Sequence, residues 1–137
     1  MWGYFSHFVK RFFNSSENRG RFGENIAVNF LLQKGYKIIR RNWHSGKAEI
    51  DVVAFDTNAK SVVFVEVKLR SASADIPGYY AVNARKKKLL RVACMSFVRS
   101  FLKQDASFRF DIIEIRTDPL NPSVVQDIYH FENVPLF

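Results

Sequence analysis

A single cysteine, Cys94, leaves the chain unable to form an internal disulfide. It falls within an apolar pattern, which reads as a structural thiol in a reducing compartment. No cluster of Cys and His carries zinc-ligand spacing, so a zinc site is not expected. No stretch approaches the roughly 20 apolar residues of a membrane span. Nor does a charged start, an apolar run and a small-residue cleavage site mark a signal peptide, and a cytoplasmic protein is expected. Repeats, low-complexity tracts and domain linkers are also missing. Acidic residues are scarce: 13 Asp and Glu stand against 21 Lys and Arg, a formal net charge of +8. Such a surplus raises affinity for polyanions through steering and counterion release, so nucleic acid is the leading partner class. Solubility or loose RNA contact would explain the same charge, so charge alone does not decide.

What the chain does contain points to one packed domain. Its 137 residues are 47% hydrophobic and 15% aromatic, with fourteen Phe, enough for a single core. Residues 1–14 form an aromatic segment in which Trp2, Phe5, Val9 and Phe12 recur at helical spacing. It reads as an amphipathic helix packed on the domain, with a membrane surface as the alternative. The remainder, 15–137, reads as the domain proper. Arg19 to Lys34 is predicted helical, with Phe22, Ile26, Ala27, Phe30 and Leu31 on one face and Gly35 as its stop. Glu24 falls at the margin of that face, where an ordinary first-turn Glu would also sit. Three strands follow at Tyr36 to Trp43, Ala48 to Phe55 and Ser61 to Leu69, the last with the Val and Phe density of a central strand. After a loop through Pro77 and Gly78, a helix from about Asn83 to Lys103 carries an almost wholly basic outer side, with no acid in that span. Phe108 to Arg116 and Val124 to Phe131 read as two further strands. This order implies a mixed α/β sandwich.

The chemistry concentrates on the hairpin formed by the second and third strands. If the chain turns at Thr57 to Lys60, Phe55 meets Val62, Val53 meets Phe64, Asp51 meets Glu66 and Glu49 meets Lys68. Two carboxylates then oppose each other on strands otherwise filled with Val, Ile and Phe, where like charges repel. A hard divalent cation would relieve that repulsion, since carboxylate oxygens are its preferred ligands. Such a cation can activate water and neutralise charge on a phosphate, and Lys68, beside Glu66, could orient or help deprotonate the water. Glu-x-Lys is also a frequent surface charge pair. The buried-type run Val62-Val63-Phe64 leading into it favours a site.

Gly23-Glu24 before a helix, Gly35-Tyr36, Arg41-Asn42-Trp43, Glu49-Ile50-Asp51, Phe64-Val65-Glu66-Val67-Lys68-Leu69-Arg70, Ala81-Val82 preceding Lys86, and Arg109-Phe110-Asp111 occur in that order. Together they resemble the YraN family of bacterial proteins, which is similar to archaeal Holliday junction resolvases within the PD-(D/E)xK nuclease superfamily. The resemblance runs from about Gly20 to the C-terminus. It implies a restriction-endonuclease-like α/β/α sandwich around a central mixed five-stranded sheet. It also implies a catalytic set of Glu24, Asp51, Glu66 and Lys68, in which the three carboxylates hold Mg²⁺ or Mn²⁺. Glu49 is a common companion in the family and is expected to pair with Lys68. The sequence departs from the family where Gly46-Lys47-Ala48 stands in place of consecutive glycines. The implied activity is hydrolysis of DNA phosphodiester bonds, on branched or single-stranded substrates. Arg70, Arg85, Lys86, Lys87 and Lys88 are the expected backbone contacts, and a homodimer is expected by analogy with the resolvases. A catalytically inactive nucleic-acid- or protein-binding module with the same fold is the alternative.

Overall fold

A computed structural model describes residues 16–73 and 83–136; the aromatic N-terminal segment and the Pro77-Gly78 loop lie outside them. The described elements are α1 (Ser16–Gln33), β1 (Lys37–Ser45), β2 (Ala48–Asp56), β3 (Ser61–Ser71), α2 (Ala84–Phe101), β4 (Phe108–Thr117) and β5 (Val125–Phe131). Each element predicted within the described residues is present, with ends that differ by up to three residues. Helix α1 stops where Gly35 adopts φ 88°. The amide of Tyr36 donates to Leu31 O and that of Gly35 to Leu32 O, the paired bonds of a Schellman cap that only a left-handed residue permits. Helix α2 starts where the Asn83 side chain accepts the Lys86 amide at 2.9 Å.

The five strands lie in sequence order in one sheet. All neighbours are antiparallel except β3 and β4, which run parallel with Val62 beside Phe108 and Lys68 beside Glu114. A parallel pair needs a crossover, and α2 supplies it. Helix α2 buries Leu90, Ala93, Cys94 and Phe97 against Ile50, Val53, Phe64, Phe110 and Ile112 on one face of the sheet. Helix α1 buries Ala27 and Leu31 against Val52, Ala54, Val63, Val65, Ile113 and Ile115 on the other. The result is a restriction-endonuclease-like α/β/α sandwich. Its central strands are covered on both faces, which is why they read as unbroken Val, Ile and Phe runs rather than alternating ones. Each fully buried side chain of this kind stabilises the fold by about 1.5–3 kcal/mol.

Alternation holds along β3 but breaks once in β2. Ile50 and Val53, three residues apart, both face α2, while Val52 faces α1. The partner strand breaks at the matching place. Arg41 reaches Glu24 and Asn25 on α1, whereas Trp43, two residues on, packs edge-to-face on Phe97 of α2 at 5.4 Å. Between them Asn42 sits at φ 51°. The β1–β2 hairpin therefore rolls over at Asn42 and Asp51. Its end is closed by Gly46 at φ 60° and Lys47 between the paired Ser45 and Ala48, the pattern of a type II′ turn.

The far end of the sheet is closed by ions. The Arg109 guanidinium donates to Asp56 at 2.9 Å, to Asp111 at 3.0 Å and to the Tyr36 hydroxyl at 2.9 Å. Fully buried Asp111 also contacts His130 at 2.8 Å and accepts the Asn133 amide at 2.9 Å. These bonds tie the ends of β2, β4 and β5 to the segment leaving α1.

Candidate functional site

Glu24 comes to the sheet because α1 packs closely there. A Cβ built on the preceding Gly23 would lie 3.6 Å from the side chains of Val67 and Leu69. The Glu24 side chain is 14% exposed, and its Oε2 is buried without a hydrogen bond among the described residues. Arg41 Nη2 stands 3.5 Å from that oxygen and donates to Asn25 Oδ1 at 2.7 Å.

Asp51 occupies the roll of the hairpin. The β2–β3 ladder follows the expected register, Phe55 with Val62 and Val53 with Phe64, as far as Val52 with Val65. There it ends, and the Asp51 carboxylate takes over by accepting the Val67 amide at 2.7 Å. Burial, then the charge of Glu66, and more weakly those of Glu24 and Glu49, push the Asp51 carboxyl up to about 8 against the opposing pull of that amide.

The same roll brings further acids to Asp51. Asp51 and Glu66 were expected opposite each other on one face, with Glu49 beside Lys68. In the structure Glu49 and Asp51 turn toward α1, and carboxylate oxygens of Glu24, Glu49 and Asp51 all lie within 4.8 Å of one another. Glu49 lies 3.6 Å from His44 instead. Glu66 and Lys68 stay on the α2 side, where Glu66 Oε1 is 3.3 Å from both Lys68 Nζ and Lys86 Nζ. Its Oε2 is buried with no hydrogen bond among the described residues. Strict two-residue alternation cannot anticipate this arrangement, because a left-handed residue in β1 interrupts it.

A cleft of about 240 Å³ opens over the acids, lined by Arg19, Gly20, Glu24, Asp51, Val67 and Leu69. At roughly 30 Å³ per water, it has room for a small cation with several of its waters. The three grouped carboxylates could hold such an ion. Glu66, held by Lys68 and Lys86, contributes the largest neighbouring charge at Asp51, as its expected place opposite that residue requires.

The basic residues divide. Lys86 points to Glu66, whereas Arg85 and Lys88 are exposed on the first turns of α2 and Lys87 is half-buried. Arg70 lies 4.0 Å from Glu114, and Arg116 lies 3.4 Å from the same acid. Glu114 is almost wholly buried beside Lys68 in the β3–β4 register. Sequence reading passed over Glu114, although an acid within the apolar run Ile112-Ile113-Glu114-Ile115 was the available signal. Arg41 entered only as part of a motif, and nothing local marked its contact with Glu24. Asp111, His130 and Glu132 also bring ligand-type atoms together. Burial pushes the Asp111 carboxyl up, but hydrogen bonds from His130, Arg109 and the Asn133 amide outweigh it and hold the group below the usual range. With Arg109 among the three and Lys34 2.9 Å from the His130 ring, this is a closed ion network.

Comparison with known proteins agrees with the arrangement of these segments. The model of the uncharacterised protein family UPF0102 matches residues 23–115, from the glycine before Glu24 into β4. A UPF0102 protein of Caldicellulosiruptor bescii is 41% identical over 104 residues, covering 74% of this chain and 85% of the relative. One from Mycobacterium bovis is 33% identical over 115 residues, 84% and 90% of the two chains. One from Porphyromonas gingivalis is 40% identical over 98 residues, 72% and 70%. With β1 to β3, α2 and the part of α1 from Gly23 onward inside the matched region, the chain belongs to the uncharacterised protein family UPF0102.

Proposed function

We propose that this protein is a metal-dependent endonuclease that hydrolyses DNA phosphodiester bonds, acting on branched or otherwise structured DNA. The observation that carries the reading is Asp51. A carboxylate buried among Glu24, Glu49 and Glu66 and pushed up to about 8 is a costly arrangement, and a divalent cation removes the cost. The buried, unbonded oxygens of Glu24 and Glu66 fit the same donor set, all hard oxygen ligands suited to Mg²⁺ or Mn²⁺.

Glu24 and Asp51 would hold the ion, with Glu49 on the α1 side and Glu66 reaching it from the other. When bound, the ion supplies water activation and neutralises charge on the phosphate. Asp51 is fixed for its part by the Val67 amide, which points one carboxylate oxygen at β3 and leaves the other for the cleft. Lys68 is a hydrogen-bond donor and a cation; it orients the attacking water and stabilises negative charge on the phosphate oxygens. Lys86 balances Glu66 while Lys68 is engaged elsewhere. Arg70, Arg85, Lys87 and Lys88 contact the sugar-phosphate backbone. Recognition by shape or by unpaired segments suits a surface that carries no base-reading motif.

A second reading has its own support. Both lysines on Glu66 and Arg41 beside Glu24 partly balance the acids without any ion, which suits a non-catalytic nucleic-acid-binding module. Cleavage assays on single-stranded, duplex and four-way-junction DNA with Mg²⁺ or Mn²⁺ separate the two. Metal-dependent cleavage lost in Asp51→Ala and Lys68→Ala is the expected result. Unchanged cleavage in both variants, or salt-sensitive binding with no turnover in either metal, would sink the nuclease assignment.

A further inference from the structure

Arg41 stands beside Glu24, which lines the acidic cleft, in a position that their ion pair does not explain. The contact with Glu24 Oε2 is 3.5 Å long, and that oxygen is buried yet accepts no hydrogen bond among the described residues. The bond that anchors the guanidinium is the one to Asn25 Oδ1, at 2.7 Å. Arg41 therefore leans on Glu24 but is tethered by its helical neighbour. Among the described residues only Nη2 is engaged, so the Nε and Nη1 donors remain, and the side chain is 37% exposed. A planar fork with free donors beside a cleft is suited to bidentate contact with a phosphate. Two further cations lie near: Arg19 lines the cleft, and Lys47 lies on the same hairpin. The neighbouring Arg40 is committed elsewhere, stacked over Trp43 and Phe101 at 5.3 Å from each ring centroid.

We propose that Arg41 is an exchange residue: it partners Glu24 until a divalent cation takes that carboxylate, and then serves as a phosphate ligand for the nucleic-acid strand, with Asn25 as its tether. The proposal rests on the metal-site reading above. Its physical basis is competition. A guanidinium beside Glu24 Oε2 opposes a second cation at the same oxygen, so the ion and the released Arg41 arrive together, one on the carboxylate and the other facing the strand.

Two titrations on the full chain test this through binding alone. Calorimetric Mn²⁺ titration without DNA should show Arg41→Gln binding the ion several-fold more tightly than wild type, because the competing cation is gone. Anisotropy with a fluorescent single-stranded or four-way-junction DNA in EDTA and in Ca²⁺ should show weaker binding by Arg41→Gln. The logarithmic salt slope should fall by about one phosphate contact, roughly 0.7–0.9, and the loss should be larger in Ca²⁺. Asn25→Ala, which keeps the charge but removes the tether, should weaken DNA binding while leaving Mn²⁺ affinity near wild type, and guards against a misfolded Arg41 variant. Unchanged or weaker Mn²⁺ binding in Arg41→Gln, or an unchanged salt slope, overturns the exchange role even where wild type binds Mn²⁺ through Asp51. Wild type that binds no Mn²⁺ overturns the metal-site reading and this proposal with it.

Discussion

The carboxylate of Asp51 holds the backbone amide of Val67 at 2.7 Å, at the point where the ladder between β2 and β3 has ended. One residue thus continues the link between the two strands and places an acid among three others. The two tasks conflict, because the hydrogen bond favours the charged carboxylate while burial and Glu66 oppose it. The opposition wins, and the group is pushed up to about 8.

That conflict predicts an unusual pH dependence. For an acid whose folded value lies above its unfolded one, the native state binds more protons between the two, so stability falls as pH rises. Asp51 should therefore penalise the fold progressively from about pH 4, its ordinary value, to about pH 8. Asp51→Asn keeps an acceptor for the Val67 amide and removes the charge. Thermal melts from pH 5 to 8.5 should show the variant gaining on wild type as pH rises. The advantage at pH 8 should be about 1 kcal/mol or more, roughly 3 °C. Addition of Mn²⁺ should reverse the order, since only wild type keeps the ligand. An Asn variant less stable than wild type at pH 8 without metal would show that the hydrogen bond, not burial, dominates.

The roll of the β1–β2 hairpin gives a second prediction. Asn42 at φ 51° occupies left-handed space, which costs about 1–2 kcal/mol for most L-residues and less for Asn or Gly. Asn42→Ala should lower stability by roughly 1 kcal/mol, while Asn42→Gly should stay near wild type. Gly46→Ala, at φ 60°, should cost at least as much because the turn demands that conformation. Denaturant midpoints measure all three. Because Asn42 lies beside the Glu49–Asp51 segment, its Ala variant should also weaken Mn²⁺ binding, whereas the same stability loss placed at Lys60, also at φ 51°, should not.

These same residues mark the limit of what the sequence made legible. Element order, the β2–β3 register and both helix faces followed from periodicity, because Val63, Phe64, Leu90 and Phe97 are placed by burial and burial leaves a period. The place of Glu49 did not follow. Period-two reasoning carried Asp51 to Glu66, whose charge is the largest acting on Asp51, but it also carried Glu49 to Lys68, whereas Glu49 lies by His44 and groups with Glu24 and Asp51 beside the left-handed Asn42. A backbone irregularity of this kind leaves no hydropathy signal. Glu24 is the opposite case: its angular position on α1 put it at the core margin, and it does approach Asp51 there.

At the other end of the sheet, the Arg109 network predicts stability without function. Asp111 is fully buried with Arg109, His130 and the Asn133 amide as partners, and Arg109 also holds Asp56. Removing one member leaves a buried charge uncompensated, which typically costs 3–5 kcal/mol. Arg109→Met should therefore destabilise the protein by about 3 kcal/mol at neutral pH. Both Asp56 and Asp111 are held below the usual carboxylate range, so their contribution is present above their unfolded value near pH 4 and is lost as pH falls through the lower folded value. The difference between wild type and Arg109→Met should shrink correspondingly in acid. Mn²⁺ affinity, measured below the melting temperature, should be unaffected.

Glu66 offers the sharpest separation of stability from chemistry, because one buried oxygen is shared by two lysines at 3.3 Å each. With either lysine removed, the other still neutralises the carboxylate, so Lys68→Met and Lys86→Met should each cost about 1 kcal/mol or less. With both removed, an unpaired buried charge remains, and the double variant should lose about 3 kcal/mol. Activity should partition differently. On the nuclease reading, Lys68→Met should abolish metal-dependent DNA cleavage, since Lys68 is the donor assigned to the attacking water. Lys86→Met should retain slower turnover, because it removes a charge that balances Glu66 but leaves the donor on the attacking water. Equal stability losses with equal activity losses in the two single variants would mean that neither lysine acts on the substrate and that both only balance Glu66.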